Sequence, residues 1–283
     1  MVLDSPAQPL AGAEAQHDAA FGSNRAEPAR AGRTAWLGCL PPLLLLSGLE
    51  ALVRAGLVPR HLLPAPSDLL LTLVALGWQG LGAHMLASSL RVLVGFAIGA
   101  SLGGLLGAAV GLNRRAEALI DPSMQALRAI PSLAWVPLLL LWLGIDEAPK
   151  ITLIALGGLF PVYVGVSSGL RDVDRKLVEM ARMLGLGPYA LTRRVLLPAA
   201  LPAVMTGLRN GLSLCWMFMV AAELIAASSG LGYLLTDGRE TGRADLVLVA
   251  IVCLALLGKL SDTGLRLLEQ RWLAWRDSFA GQA

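Results

Sequence analysis

The sequence predicts an all-α, polytopic membrane protein of about six transmembrane helices, and three observations predict it. Of the 283 residues 55% are hydrophobic and only 15% charged, whereas soluble domains run near a quarter charged. The mean hydropathy is +0.65. The apolar residues gather in six runs, at 36–53, 90–112, 130–143, 151–170, 204–227 and 246–260. Roughly 20 residues at 1.5 Å each cross the hydrocarbon core, and a helix satisfies its own backbone groups in lipid. The runs at 130–143 and 246–260 are short, and the weakly polar turns beside them are expected to lengthen both.

Taken in order, residues 1–33 are rich in Ala, Gly and Pro with dispersed charges, and read as a disordered cytoplasmic tail. They lack a basic start followed at once by an apolar core, so they are not a secretory signal and the first run is expected to be retained. The membrane domain is expected over 34–277, with a short tail at 278–283. Between the first two runs, 66–77 (PSDLLLTLVALG) reads as a short helix at the outer interface, with Ser67 as its N-cap. The second run carries Gly95, Gly99, Gly103, Gly107 and Gly111. One glycine every four residues makes a groove for a neighbouring backbone, either within the chain or at a dimer seam. Pro131 and Pro137 in the third run and Pro161 in the fourth imply kinked helices.

Lys and Arg accumulate in alternate connections. With the N-terminus inside, the inner side holds Arg25, Arg30, Arg33, Arg114, Arg115, Arg171, Arg175, Lys176, Arg182, Arg193, Arg194, Arg266, Arg271 and Arg276. The outer side holds Arg54, Arg60, Lys150, Arg239 and Arg243. The positive-inside rule then puts both termini in the cytoplasm.

Cys39, Cys215 and Cys253 all fall inside apolar runs and read as small fillers. His17, His61 and His84 are scattered, so no metal set is expected, and no basic patch suggests nucleic acid. Gly165, Ser167 and Gly169 match the G-x-S-x-G elbow, but no histidine follows them and the strand–turn–helix context is missing. No catalytic set is expected. Without a G-x-x-x-x-G-K-[ST] loop, the chain is expected to bind no cofactor itself. The charged residues Glu50, Arg91, Arg128, Arg209, Glu223 and Lys259 lie in or near the runs, and four of them, Arg91, Arg128, Arg209 and Glu223, are candidates for the pathway. They read either as pathway residues facing an anionic substrate or a gate, or as internal pairs and snorkelling groups.

The connection 171–201 reads RDVDRKLVEMARMLGLGPYALTRRVLLPAAL. Asp172 or Asp174 can cap a helix with Leu177, Met180, Ala181 and Leu184 at helical spacing. Gly185 sits where a helix end needs a left-handed residue, and a second short helix is expected after Gly187 and Pro188 and before Pro198. A cytosolic helix this apolar on one face needs a protein partner or the membrane surface. The residues Glu179, Met180, Ala181, then Gly185 after three more, then Val195, Leu197 and Pro198 after nine more, resemble the EAA loop of ABC-importer permeases. Met180 and Val195 depart mildly from that pattern. The segments 127–150, 177–186 and 256–275 resemble the aliphatic-sulfonate branch of the group that also serves taurine, nitrate and vitamin precursors.

That resemblance implies a type I ABC-importer permease fold in the bacterial inner membrane. It implies a loop docked on a separate ABC ATPase that hydrolyses ATP-Mg, a periplasmic substrate-binding protein, and a permease homodimer working by alternating access. A taurine, nitrate or vitamin-precursor permease is the rival within transport. An intramembrane enzyme and a membrane scaffold are the rivals outside it.

Overall fold

The computed structural model describes residues 40–59 and 62–273. The expected tails at 1–33 and 278–283 lie outside them, as do Cys39, His61 and Arg276. The chain divides into two units at Leu52. The leucine-rich helix α1 (Leu40–Arg54) carries that boundary, and the bundle considered below lies in the second unit.

Every regular element among the described residues is helical. α2 (Pro66–Leu112) contains a break at Gly77, whose φ of 61° and ψ of 173° are open to glycine alone. Its first part is the short helix expected over 66–77, but the helix begins at Pro66 and Ser67 is not the cap. Asp68 reaches back instead, accepting from the Ala65 N–H at 3.2 Å, because Pro66 has no N–H to offer at the first position. Thr72 donates to Asp245 at 2.8 Å, tying this part to the start of α10 (Ala244–Trp272).

The glycine groove is used within the chain. It packs along α5 (Glu147–Arg171): a Cβ on Gly99 or Gly103 would overlap the carbonyls of Ala155 and Leu159, and one on Gly107 would lie 2.7 Å from the Tyr163 oxygen. The close approach runs from Gly95 against Ile154 to Gly111 against Leu170. Both series rise together, so α2 and α5 are parallel. The other side of α5 meets α8 (Leu197–Ala226) antiparallel, with Gly165 against Gly207 and Gly157 against Phe218. Small residues on two faces make α5 the centre of the bundle. It continues as helix through Pro161.

Four helices among the described residues are long and apolar enough to cross a membrane: α2, α5, Pro188–Ile225 and α10. The third run departs from expectation. The chain there forms α3 (Arg114–Ala129), a 3-10 turn (Ser132–Trp135) and α4 (Val136–Leu143), bent by 88°. Pro131 forces Ile130 into an extended conformation, φ −74° and ψ 124°, whereas Pro137 sits harmlessly in the first turn of α4. Because α2 and α5 run the same way, the chain between them must return across the bilayer. The bent pair is therefore a broken crossing, the fifth among the described residues.

Sequence inspection missed α3 as a helix. Asn113 caps it, accepting from the Arg115 N–H at 2.9 Å. Its buried Met124 joins Val110 and Tyr163 in a core cluster, and Tyr163 donates to Asp121.

Candidate translocation groove and docking surface

The connection between α5 and α8 forms as its spacing predicts up to Gly185 and differs beyond it. α6 (Arg175–Met183) is capped by Asp174, which accepts from the Lys176 N–H at 2.9 Å. It ends in a Schellman turn: Leu186 N–H reaches the Ala181 carbonyl at 3.2 Å, and Gly185 N–H reaches Arg182 at 2.9 Å. Gly185 has φ +75° and open space where a Cβ would lie. Ala181 is buried, while Leu177, Met180, Met183, Leu184 and Tyr189 are exposed, Met183 at 89%. Glu179 is exposed and paired with Arg175 at 2.7 Å.

No separate second helix follows. The single turn α7 (Pro188–Leu191) runs through a π turn (Thr192–Leu196) straight into α8. The Leu197 N–H bonds to Thr192, five residues back, which opens the helix just where Pro198 withholds its own N–H. Val195 lies in that turn, half-buried, and Leu197 and Pro198 start α8 with Leu197 exposed. The seven loop residues singled out in the sequence thus share one end of the bundle, between the C-terminus of α5 and the N-terminus of α8.

The four embedded charges separate into two kinds. Arg91 has all five donors occupied: Nε and Nη2 fork onto Glu147 at 2.6 and 2.7 Å, Nη1 bonds Glu223 at 2.8 Å and the Ser229 carbonyl at 2.6 Å, and Nη2 also meets Ser229 Oγ at 3.1 Å. Glu223 is 1% exposed. It accepts from Ser88 at 2.7 Å and from the Gly232 N–H at 2.7 Å. Ser88 accepts in turn from Leu231 N–H at 2.8 Å. This node holds the break after α8 and caps the start of α9 (Leu231–Glu240) with a carboxylate, where free N–H groups favour negative charge. His84 adds a further anchor by accepting from Gly230 N–H at 2.9 Å. Arg209 forks onto Asp262 at 3.0 and 3.3 Å and reaches Glu269 at 3.2 Å, clamping α8 to α10.

Arg128 is different. It is exposed, makes no ion pair or hydrogen bond among the described residues, and borders a half-open groove of about 650 Å3. The groove runs between one stripe of α5 (Leu156, Phe160, Val164, Ser168) and one of α8 (Thr206, Asn210, Leu214, Phe218), with Gly165 against Gly207 in its floor. The bend after α3 brings Arg128 and Ser132 to its edge. Arg91, Arg209 and Glu223 do not line it.

Sequence inspection missed Ser132 and Asn210, and around Arg91 it missed His84, Ser88, Glu147 and Ser229. His84, Ser88 and Arg91 are spaced four and three apart, a polar stripe on one face of an apolar helix, and that signal was available. The elbow-like serines are spent locally: Ser167 and Ser168 both donate to the Val164 carbonyl, at 3.3 and 2.7 Å. The described residues hold no group of three or more potential metal ligands.

Residues 95–274 match the model of the binding-protein-dependent transport system inner membrane component. The chain belongs to that family. It is a multi-pass inner-membrane permease of an ABC importer, a transport subunit rather than an enzyme, and the family implies an ATPase partner. Among its relatives, a Bacillus subtilis protein provisionally named aliphatic sulfonates transport permease protein SsuC is 41% identical over 91% of this chain and 94% of its own length. A protein of the same name from Escherichia coli K12 is 45% identical over 86% of this chain and 95% of its own. A solved structure of the MetNI methionine ABC transporter in inward-facing conformations aligns with a TM-score of 0.54 at 23% identity, over 70% of this chain and 98% of that one. At that identity the likeness speaks for the fold.

Proposed function

We propose that two copies of this permease form the pathway of an importer for aliphatic sulfonates, driven by an ABC ATPase and fed by a periplasmic substrate-binding protein. The observation that carries the coupling role is α6: Leu177, Met180, Met183 and Leu184 are exposed beside Arg175 and Arg182 at one end of the bundle. An apolar patch of this kind in water marks a binding surface. Glu179, Met180, Ala181 and Gly185, backed by Val195, Leu197 and Pro198, form the contact on the ATPase, and closure of two ATPases moves the loops and tilts the spans. ATP-Mg stays on the partner. The second copy closes the open side of the groove between α5 and α8.

The substrate assignment rests on the two relatives at 41% and 45% identity. A strain lacking this chain is expected to fail on an alkanesulfonate as sole sulfur source and to grow normally on sulfate. Normal growth on both removes the sulfonate assignment and leaves taurine or another small anion as the cargo.

Both termini face the cytoplasm in this reading, following the charge bias and the descent of α2, α5 and α10 in one direction. A cysteine replacing exposed Asp172, in a background without the native cysteines, is expected to react with an impermeant thiol reagent only from the cytoplasmic side. One replacing exposed Ile145 is expected to react only from outside. The opposite pattern inverts the topology.

A further inference from the structure

We propose that Arg128, Ser132 and Asn210 form a transmembrane subsite for the head group of a small organic anion, whose apolar tail lies against Phe160 and Phe218. The proposal deepens the importer reading above and rests on it for the direction of transport only.

Three observations converge. Arg91, Arg209 and Glu223 are engaged in internal pairs, whereas among the described residues Arg128 has no counter-ion and no carboxylate lines the groove it faces. Secondly, Arg128 faces the middle of α5. α3 runs antiparallel to α5, with Glu117 and Asp121 near Arg171 and Asp121 bonded to Tyr163. Arg128, two turns further along α3, therefore lies near the level of Phe160, with which it lines the groove. From Phe160 to the inner end of α5 at Arg171 is about 16 Å of helix, too far for a side chain to snorkel. An unpaired cation at that depth requires a water-filled cavity or an anion. Thirdly, Ser132 and Asn210 also make no internal side-chain hydrogen bond among the described residues, so a hydroxyl and an amide that line the same groove as the guanidinium are free to donate.

The chemistry of the lining selects the ligand class. A guanidinium fork with neutral donors suits a tetrahedral oxyanion. The walls of Leu156, Phe160, Leu214 and Phe218 offer apolar area to an alkyl tail. Sulfate or nitrate would lose hydration there with no tail to bury in exchange, so the lining favours an amphipathic anion over an inorganic one.

The test uses the whole importer, this chain with its ATPase and binding protein, in proteoliposomes with radiolabelled pentanesulfonate. Arg128→Gln is expected to lower ATP-driven uptake about ten- to a hundredfold, while stimulated ATP hydrolysis stays within about twofold of wild type. Arg128→Lys recovers part of the uptake. Asn210→Asp, which adds a negative charge to the groove, serves as the independent variant and is expected to lower uptake comparably. Wild-type uptake by Arg128→Gln overturns the subsite, as does a loss of ATP hydrolysis in step with uptake. If the wild-type importer moves a different organic anion and Arg128→Gln still blocks it, the sulfonate assignment falls and the subsite stands. If its cargo is neutral or cationic, the subsite falls.

Discussion

Gly185→Arg is expected to abolish transport while leaving the permease at normal levels in the membrane. The expectation follows from two features of the end of α6. Gly185 takes φ +75°, so any residue with a Cβ there costs roughly 1 kcal/mol or more of backbone strain. Yet among the described residues no heavy atom beyond its chain neighbours lies within 4 Å of where its Cβ would stand, so the bundle itself has room for a side chain. The spans are untouched, and the strained turn is a few residues at one end of the bundle. A large cationic side chain therefore acts on whatever docks outside. The ATPase should co-purify poorly, or hydrolyse ATP without responding to loaded binding protein. Gly185→Ala carries the strain without the bulk and should retain more transport than the arginine variant. Normal transport by Gly185→Arg with the ATPase still bound would show that α6 is not the coupling element.

What was legible in the sequence was whatever a single helix face or a single turn encodes. The glycines from Gly95 to Gly111 recur every four residues, and such a period serves close backbone packing, which α5 supplies. Asp174, Gly185 and Pro198 each act through the backbone within five residues, so cap, Schellman turn and opened π turn follow from local chemistry. The π turn itself reads in the sequence as a separate helix, because widening by one residue leaves no mark on apolar spacing.

α3 escaped for the opposite reason. Its residues, RRAEALIDPSMQALRA, are too polar to resemble a crossing, and its buried Met124 packs against Tyr163, which lies on another helix farther along the chain. The embedded charges were visible singly, but their partners were not. Arg91 lies 56 residues from Glu147 and 132 from Glu223, and nothing in a one-dimensional pattern couples positions so distant. The consequence for function is direct: only the pairing in three dimensions separates Arg128 from the structural arginines.

Removing Arg91 is expected to be the most destabilising single change among the embedded charges, and the asymmetry with Glu223 makes the claim testable. Arg91→Met leaves Glu223 buried beside Ser88 and Gly232 and takes the forked partner from Glu147 at the same stroke. An uncompensated buried charge of this kind costs about 3–5 kcal/mol. Glu223→Leu should cost less, because Arg91 keeps its two bonds to Glu147 and its two to Ser229. What that variant loses is the carboxylate at the start of α9, so the 227–230 break should become the preferred site of limited proteolysis. The double variant Arg91→Met, Glu223→Leu removes both charges together and should recover part of the stability lost with Arg91 alone, since a well-packed apolar pair often replaces a buried ion pair at little cost. Thermal unfolding of the purified chain in detergent, read as the fraction remaining monodisperse, gives the order. Arg91→Met should be least stable, the double variant intermediate and Glu223→Leu closest to wild type. Additive losses in the double variant would mean that Arg91 and Glu223 act separately, and that the break after α8 is held by some other contact.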